Sequence, residues 1–171
     1  MKDMLKSLII FMIVGLAAFW LYMKSETTFK LPDAPVIDQT SPPCLQMYYL
    51  IDKYAEQYNI PRKYAYGIAY CETHYTNPFQ WNYNHKQTSC VGAVGPMQVM
   101  VPTARMMWPG KKFTKADLKD NIQFNVETSM KLLRYLHNRY GNWKLVFGAY
   151  NTGRPMVNQY ALNVYNYNLK F

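Results

Sequence analysis

The sequence predicts an all-α, mainly helical domain that follows one N-terminal transmembrane helix. Three observations support this prediction. An uncharged apolar run occupies residues 8–23, a polar stretch with several prolines follows it, and from residue 44 onwards apolar residues recur at helical spacing. With 171 residues, the chain has room for one domain of ordinary size after the N-terminal segment.

The N-terminal run reads LIIFMIVGLAAFWLYM and predicts a single membrane span near the lower length limit. Lys2 and Lys6 precede the run, and Trp20 and Tyr22 lie at its far end. Because positive residues favour the cytoplasmic side, we expect the amino terminus inside and the following domain outside the cytoplasm. A cleaved signal peptide is the alternative, although no small-x-small cleavage pattern follows the run.

Composition divides the chain into three expected segments. Residues 1–25 are the membrane anchor, residues 26–43 are a linker, and residues 44–171 are the folded domain. The linker contains four prolines and scattered Ser, Thr and Asp residues without a helical period. We expect the domain on the periplasmic or cell-wall side of the membrane, or on a virion membrane if the chain is viral.

The domain is strongly basic. Residues 41–171 contain 15 Lys and Arg residues and six Asp and Glu residues, a formal charge of +9. An anionic partner is therefore expected. Nucleic acid is disfavoured because the basic residues are dispersed, no recognised binding module is present and the expected compartment is extracytoplasmic. The peptide carboxylates of peptidoglycan fit both the charge and the compartment.

Three cysteines allow at most one internal disulfide, and in an oxidising compartment we expect it between Cys71 and Cys90, with Cys44 left over. Zinc binding is an alternative, since Cys71, His74, His85 and Cys90 are all residue types that bind zinc. Their irregular spacing disfavours a zinc site, and we expect no metal.

A carboxylic acid falls on the apolar face of the second predicted helix. The first helix follows Pro43 and carries an apolar stripe that includes Leu50 and Tyr54. Pro61 suits the first turn of the second helix, whose stripe continues four residues beyond Ile68 to Glu72. Burial there would raise the pKa of Glu72, as a general acid requires. Alternatively, Glu72 ends the helix in solvent or pairs with a cation.

The rest of the domain is also predicted to be mostly helical. Residues 76–95 lack a helical period and indicate a long loop. Thr114 with Asp117 resembles a capping box, and a long amphipathic helix from residue 122 should end at Gly141. Asn142 can cap a further helix. A last helix is predicted from the apolar spacing of Val157, Tyr160, Val164 and Tyr167.

Four segments, in this order, resemble the lytic murein transglycosylase domain, whose lysozyme-like fold is shared by goose-type lysozymes. They are YAYGIAYCETHY at residues 64–75, GAVGPMQVMVPTA at 92–104, NVETSMKLLRYL at 125–136 and AYNTG at 149–153. The resemblance covers nearly all of residues 44–168. It departs from the family pattern in Pro96 for leucine, Ser129 for glycine and a longer loop before Gly92.

The resemblance implies that Glu72 is the catalytic residue. Residues implied to bind substrate are Thr73, in the family's serine position, Met97, Gln98, Tyr150 and Asn151. Tyr150 is expected to approach the catalytic carboxyl and Asn125 to buttress the site. Flat surfaces for sugar rings are expected among Tyr49, Trp81, Tyr83 and Trp108.

The expected reaction needs one carboxyl group, because the other acids of the domain fall on polar faces or near helix starts. The resemblance implies that the β-1,4 bond between N-acetylmuramic acid and N-acetylglucosamine is cleaved without water, leaving 1,6-anhydro ends, with no cofactor. Local wall opening is the expected role, with envelope-spanning or virion assemblies as expected settings. The alternatives are a goose-type hydrolase and a non-catalytic, membrane-tethered peptidoglycan-binding module.

Overall fold

The structure is a computed structural model that describes residues 38–171. Within this range there is no β-strand, and isolated antiparallel bridges join Val94 to Thr88 and to Val99. The helices are α1 (Pro43–Gln57), α2 (Arg62–Thr73), α3 (Val101–Met107), α4 (Lys115–Asp120), α5 (Ile122–Tyr140), α6 (Trp143–Thr152) and α7 (Gln159–Tyr165). The prediction of an all-α domain is confirmed.

Helix α5 forms the centre of the domain. It packs against α1, α3, α4 and α6, while α7 packs against both α2 and α6. Val126, Met130 and Leu133 lie on one face of α5 and are completely buried. This is the apolar stripe that the sequence predicts, with spacings of four and three residues.

Side-chain caps fix where several helices begin. The predicted capping box is present, since the Thr114 hydroxyl accepts from the Asp117 amide and the Asp117 carboxylate accepts from the Thr114 amide. Asn142 caps α6 as predicted, and Asn158 caps α7. Gly141 ends α5 with a φ of 65°, a conformation that glycine adopts without steric cost.

The structure differs from the sequence prediction in the start of the last helix and in the presence of one additional short helix. The last helix begins only at Gln159, because Asn158 caps it, so Val157 lies outside it and is exposed. Helix α3 was not predicted as a separate element. It is only seven residues long and includes Pro102 in its first turn, so its apolar period is too short to recognise.

The predicted anchor and most of the predicted linker lie outside the described residues. Between residues 38 and 171, no helix has the length and apolar character needed to cross a membrane.

The predicted Cys71–Cys90 disulfide is not formed, and all three cysteines are free thiols. Cys71 is half-buried on α2 and lies close enough to Tyr160 and Tyr167 to contribute to their raised pKa values. Cys90 is exposed in the turn between Ser89 and Gly92. The two thiols therefore lie in different surroundings. In the described part of the chain, no group of three His, Cys, Asp or Glu side chains could hold a metal ion.

Candidate active site

Glu72 lies at the C-terminal end of α2, one residue before the helix ends. His74 ends α2 in the left-handed conformation with a φ of 57°. The Glu72 side chain points into the domain, where the Tyr160 hydroxyl donates a hydrogen bond to Glu72 Oε1. Burial raises the pKa of Glu72 from 4.5 to about 7, and the Tyr160 hydrogen bond opposes this rise. The carboxyl can therefore both donate and accept a proton near neutral pH.

Close packing of α2 against α7 brings Tyr160 to Glu72. A Cβ atom at Gly67 of α2 would lie 3.0 Å from Tyr167 Cβ and 3.1 Å from the Val164 carbonyl oxygen. Only glycine allows this approach without a shift of the backbone. Burial, followed by the nearby Glu72 charge, raises the pKa of Tyr160 well above its ordinary value, so its phenol remains a neutral hydrogen-bond donor.

Tyr150 lies near Glu72, as the resemblance implies, but its hydroxyl does not donate a hydrogen bond to the carboxyl. Its hydroxyl donates to the Met97 carbonyl oxygen at 2.7 Å and lies 2.9 Å from Ser129 Oγ. A phenol has one proton, so Ser129 is the donor in the second contact. Glu72 is nevertheless close, since its charge contributes to the raised pKa of Tyr150. Tyr150 thus fixes the loop beside Glu72, and Tyr160 is the residue that sequence reasoning missed.

Thr73 is buried and connects the end of α2 to the neighbouring loop. Its Oγ1 lies 2.8 Å from the Pro96 carbonyl oxygen and 2.6 Å from the Tyr83 hydroxyl. Because Pro96 offers only an acceptor, Tyr83 donates to Thr73 while Thr73 donates to Pro96. With these contacts the side chain positions the loop and does not face an open cleft.

Asn125, on α5, supports the loop that contains Met97 through hydrogen bonds. Its Oδ1 accepts from the Met97 amide at 2.8 Å, and its Nδ2 donates to the carbonyl oxygens of Val94 and Leu118, both at 2.9 Å. Asn125 is completely buried. A Cβ atom at Gly95, which has a φ of 77°, would overlap the Asn125 amide, so this position requires glycine.

The other predicted binding residues differ in their accessibility. The Met97 side chain is completely buried, so its contribution to the site is structural. Gln98 is half-buried, and its Nε2 donates to the Gly95 carbonyl oxygen at 2.8 Å. Asn151 is exposed on the same side of the domain as α7, where its Oδ1 accepts from Asn158 Nδ2 at 3.2 Å. Asn151 is therefore the predicted residue most available to a ligand.

The remaining carboxylates of the described residues have other partners or lie in solvent. Asp52 forms an ion pair with Arg62 at 2.7 Å. Glu127 accepts from the Tyr58 hydroxyl at 3.3 Å. The other four acids are exposed on the surface: Asp38, Glu56, Asp117 and Asp120. Of these, Asp117 caps a helix and Asp120 lies 3.8 Å from Lys86. Between residues 38 and 171, Glu72 has no carboxylate partner.

Two exposed aromatic side chains flank the end of α2. Trp81 is 63% exposed and Phe79 is 70% exposed, and their rings meet edge to face at 6.2 Å. Gln80, between them, donates to the His74 carbonyl oxygen at 3.2 Å, so the pair is tied to the residue that ends α2. Of the other predicted sugar surfaces, Tyr83 is buried against Thr73 and is unsuited to stacking.

One surface cavity of the domain is not lined by Glu72. It has a volume of about 800 Å³ and is lined by residues 38–43, 46, 50, 85–86, 116–117 and 120–123. Of its three acids, Asp38 accepts hydrogen bonds from the Thr40 and Ser41 amides, Asp117 caps a helix and Asp120 lies 3.8 Å from Lys86. Glu72 is not among the lining residues, so this cavity is separate from the candidate active site.

Comparisons with known proteins identify the family of the domain. The family model described as "Transglycosylase SLT domain" matches residues 49–170. The 70-kDa soluble lytic transglycosylase of Escherichia coli is 28% identical, with a TM-score of 0.53 over 69% of this chain and 18% of its own. Its complex with bulgecin A gives the same values. No curated protein matches the chain.

A second solved structure has the same fold. It is an inactive mutant of the lytic transglycosylase Slt from Pseudomonas aeruginosa, 22% identical, with a TM-score of 0.52 over 62% of this chain and 16% of its own. The chain thus spans less than a fifth of the length of these solved proteins. The family match covers well over half of the chain, and the chain therefore belongs to the transglycosylase SLT domain family.

Proposed function

We propose that the chain is a peptidoglycan lytic transglycosylase that cleaves the β-1,4 bond between N-acetylmuramic acid and N-acetylglucosamine. The observation that carries the proposal is the half-buried carboxyl of Glu72, which has a pKa of about 7 and a neutral donor, Tyr160, on one of its oxygens. A group with this pKa is protonated in a large fraction of molecules at neutral pH.

The first step is proton donation. Glu72 transfers its proton to the glycosidic oxygen, and the bond between that oxygen and C1 of N-acetylmuramic acid breaks. Glu72 is then a carboxylate, and the Tyr160 hydroxyl hydrogen-bonds to its Oε1. Because this hydrogen bond lowers the pKa of Glu72, it stabilises the charged form that the first step produces.

The second step uses the same carboxylate as a base. Glu72 removes the proton from the 6-hydroxyl of the muramic acid residue, and that oxygen forms the new bond to C1. The product is the 1,6-anhydro sugar, and Glu72 recovers its proton. The nucleophile belongs to the substrate, so the step is intramolecular and gains from proximity.

One observation supports this scheme over one with two carboxylates. A pair of acidic residues is the usual arrangement in glycosidases. Among residues 38–171, Glu72 has no acidic partner, because Asp52 and Glu127 have other contacts and the remaining acids are on the surface. An intramolecular nucleophile removes the need for the second carboxylate.

Mass analysis of the products tests the proposal. Purified peptidoglycan is digested with the full-length chain and, in parallel, with Glu72→Gln and Glu56→Gln variants. Glu56→Gln is the matched control, because it makes the same chemical change on the exposed face of α1. We expect anhydro-muropeptides from the unmodified chain and the control, and none from Glu72→Gln.

Other products would contradict the proposal in defined ways. Reducing ends, heavier by the mass of one water molecule, about 18 Da, would mean hydrolysis. Glycan binding without any product would mean a non-catalytic binding module. Full activity of Glu72→Gln would remove Glu72 from the mechanism.

We further propose that residues 1–25 anchor the enzyme in a membrane, that residues 26–43 are a linker and that the domain opens the wall locally outside the cytoplasm. The support is the uncharged run at residues 8–23 with its flanking Lys2 and Lys6. Alkaline carbonate extraction of cell membranes tests the anchor. We expect the full chain to remain in the membrane fraction, and release into the supernatant would contradict it.

A further inference from the structure

A cluster of cations surrounds one half-buried indole on the side of the domain formed by α3 and α5. The cluster lines a surface cavity of about 460 Å³ that is formed by Arg105, Trp108, Gly110, Lys111, Lys112 and Phe113. Lys131, from α5, also approaches the indole, with its Nζ 3.9 Å from the centre of the Trp108 ring. Cavities of this volume accommodate small ligands.

The Trp108 ring is held rigidly. Its Nε1 donates to the Thr128 hydroxyl at 2.9 Å, and its ring packs against Phe124 at 6.0 Å. Lys111 Nζ lies 4.8 Å from the centre of the Trp108 ring and 4.2 Å from that of Phe124. The aromatic rings therefore hold the ammonium groups of Lys111 and Lys131 in place before any ligand binds.

No acidic residue in the described part of the chain forms an ion pair with these cations. Within residues 38–171 the ion pairs are Arg62 with Asp52 and Lys86 with Asp120, and neither involves the cluster. The ammonium groups of Lys111 and Lys131 lie 4.8 and 3.9 Å from the centre of the Trp108 ring, so their separation cannot exceed the sum of these two distances. That sum is below the Debye length of about 10 Å at 0.1 M salt, so the two charges repel each other, and an anion bound beside the indole would reduce this repulsion.

We propose that this cluster is a binding site for the carboxylates of peptidoglycan peptide stems, separate from the catalytic carboxyl. The proposal rests on the proposed function, which supplies a polymer with carboxylates along its length. A planar indole beside ammonium and guanidinium groups suits a ligand with an apolar part and a carboxylate. Phosphate-containing wall polymers share the anionic chemistry and are separated from carboxylates by the experiment.

The experiment measures binding without cleavage. The full-length chain carrying Glu72→Gln is sedimented with purified, insoluble peptidoglycan, and the bound fraction is measured as a function of polymer concentration. In this background a Lys111→Gln, Lys131→Gln double variant is compared with a Lys63→Gln, Lys144→Gln double variant. The control pair also places two ammonium groups over one aromatic ring, Tyr165, at 5.5 and 4.6 Å.

We expect about tenfold weaker binding for the Lys111, Lys131 variant, and a change of less than about twofold for the control. Both variants lose the same charge, so equal losses would mean a non-specific surface effect and would overturn the proposal. No loss in either variant would overturn it as well. Substitution of both lysines by arginine should retain binding, since the charges remain.

A second pair of substitutions guards against misfolding. The Arg105 and Lys112 side chains are exposed, so Arg105→Gln with Lys112→Gln should leave the thermal unfolding temperature unchanged. We expect this variant also to bind more weakly than the control. If the Arg105, Lys112 variant binds as tightly as the Glu72→Gln chain with no further substitution, the cavity is not the binding site.

Chemical treatment of the polymer identifies the anion. Coupling its carboxyls to ethanolamine with a carbodiimide should reduce binding of the Glu72→Gln chain, with its lysines intact, to the level of the Lys111, Lys131 variant. Hydrofluoric acid removes phosphodiester-linked polymers and should have no effect. The reverse pattern would replace carboxylate by phosphate and overturn the proposal. Because every arm uses the inactive variant, failure here is distinct from failure of the proposed reaction, which product analysis reports.

Discussion

Replacing Glu72 by glutamine should make the protein more stable at neutral pH. Burial raises the pKa of Glu72 from 4.5 to about 7, so the folded state holds this proton more tightly than the unfolded chain. A raised acid pKa costs stability as pH rises from 4.5 to about 7, because the folded protein must either retain the proton or bury a charge. One pKa unit corresponds to about 1.36 kcal/mol, so the full cost is about 3 kcal/mol.

The assay is equilibrium unfolding in urea at several pH values between 4 and 8, for the unmodified chain, Glu72→Gln and the control Glu56→Gln. Glutamine keeps the shape of Glu72 and an oxygen for the Tyr160 hydrogen bond. Between pH 4.5 and 7, we expect the free energy of unfolding of Glu72→Gln to rise relative to that of the unmodified chain by about 1.4 kcal/mol per pH unit. Above pH 7 this difference should level off. A difference that stays constant between pH 4.5 and 7, or one that Glu56→Gln reproduces, would refute the argument.

Three other substitutions separate the roles of the residues around Glu72. Tyr160→Phe removes the hydrogen bond that lowers the Glu72 pKa, so the alkaline limb of the pH–rate profile should move to higher pH and kcat should fall about tenfold. An unchanged profile would contradict this role. Asn125→Ala leaves the Met97 amide and two carbonyl oxygens without buried partners, and should lower the free energy of unfolding by about 2–4 kcal/mol in urea titrations; a loss below about 1 kcal/mol would count against the buttress. Trp81→Ala removes an exposed ring that can stack on sugar, so the polymer concentration for half-maximal rate should rise about fivefold while thermal stability is unchanged. Equal kinetics would show that Trp81 does not contact substrate.

Local signals in the sequence predicted most of the fold. The capping box at Thr114, the Asn142 cap and the Gly141 stop depend on residues within one helical turn, and the structure confirms all three. The apolar stripe of α5 was also correctly predicted, because a helix of 19 residues shows its period clearly. Helix α3, with seven residues, is too short for the same argument.

The hydrogen-bond partner of Glu72 could not be predicted from local signals. Tyr150 and Tyr160 both lie on apolar stripes, and either hydroxyl could in principle reach the carboxyl. Which hydroxyl reaches the carboxyl depends on how α7 packs on α2 and α6. Two glycines permit this packing, since Gly67 lies close to α7 and Gly148 lies close to the Met156 backbone. A glycine on an apolar helical face was the available signal, since it marks a position where another backbone comes close.

The contacts of Thr73 and of the cysteines also could not be predicted from local signals in the sequence. The resemblance implied that Thr73, in the family's serine position, contacts substrate, but its hydroxyl bonds to Pro96 and Tyr83, which are distant in sequence. The Cys71–Cys90 disulfide was expected from cysteine number and compartment, whereas pairing depends on which way each thiol points. These contacts follow from the long loop between α2 and α3, which has no periodic pattern to read.

The central claim is that Glu72 cleaves the glycan with no water as nucleophile. The most direct test is digestion of peptidoglycan by the full-length chain in water enriched in the heavy oxygen isotope, followed by mass spectrometry of the muropeptides. Because the 6-hydroxyl of the substrate forms the new bond, we predict anhydro ends that carry no heavy oxygen. Heavy oxygen at C1 of the product sugar would show that water attacks, and would contradict the one-carboxyl mechanism.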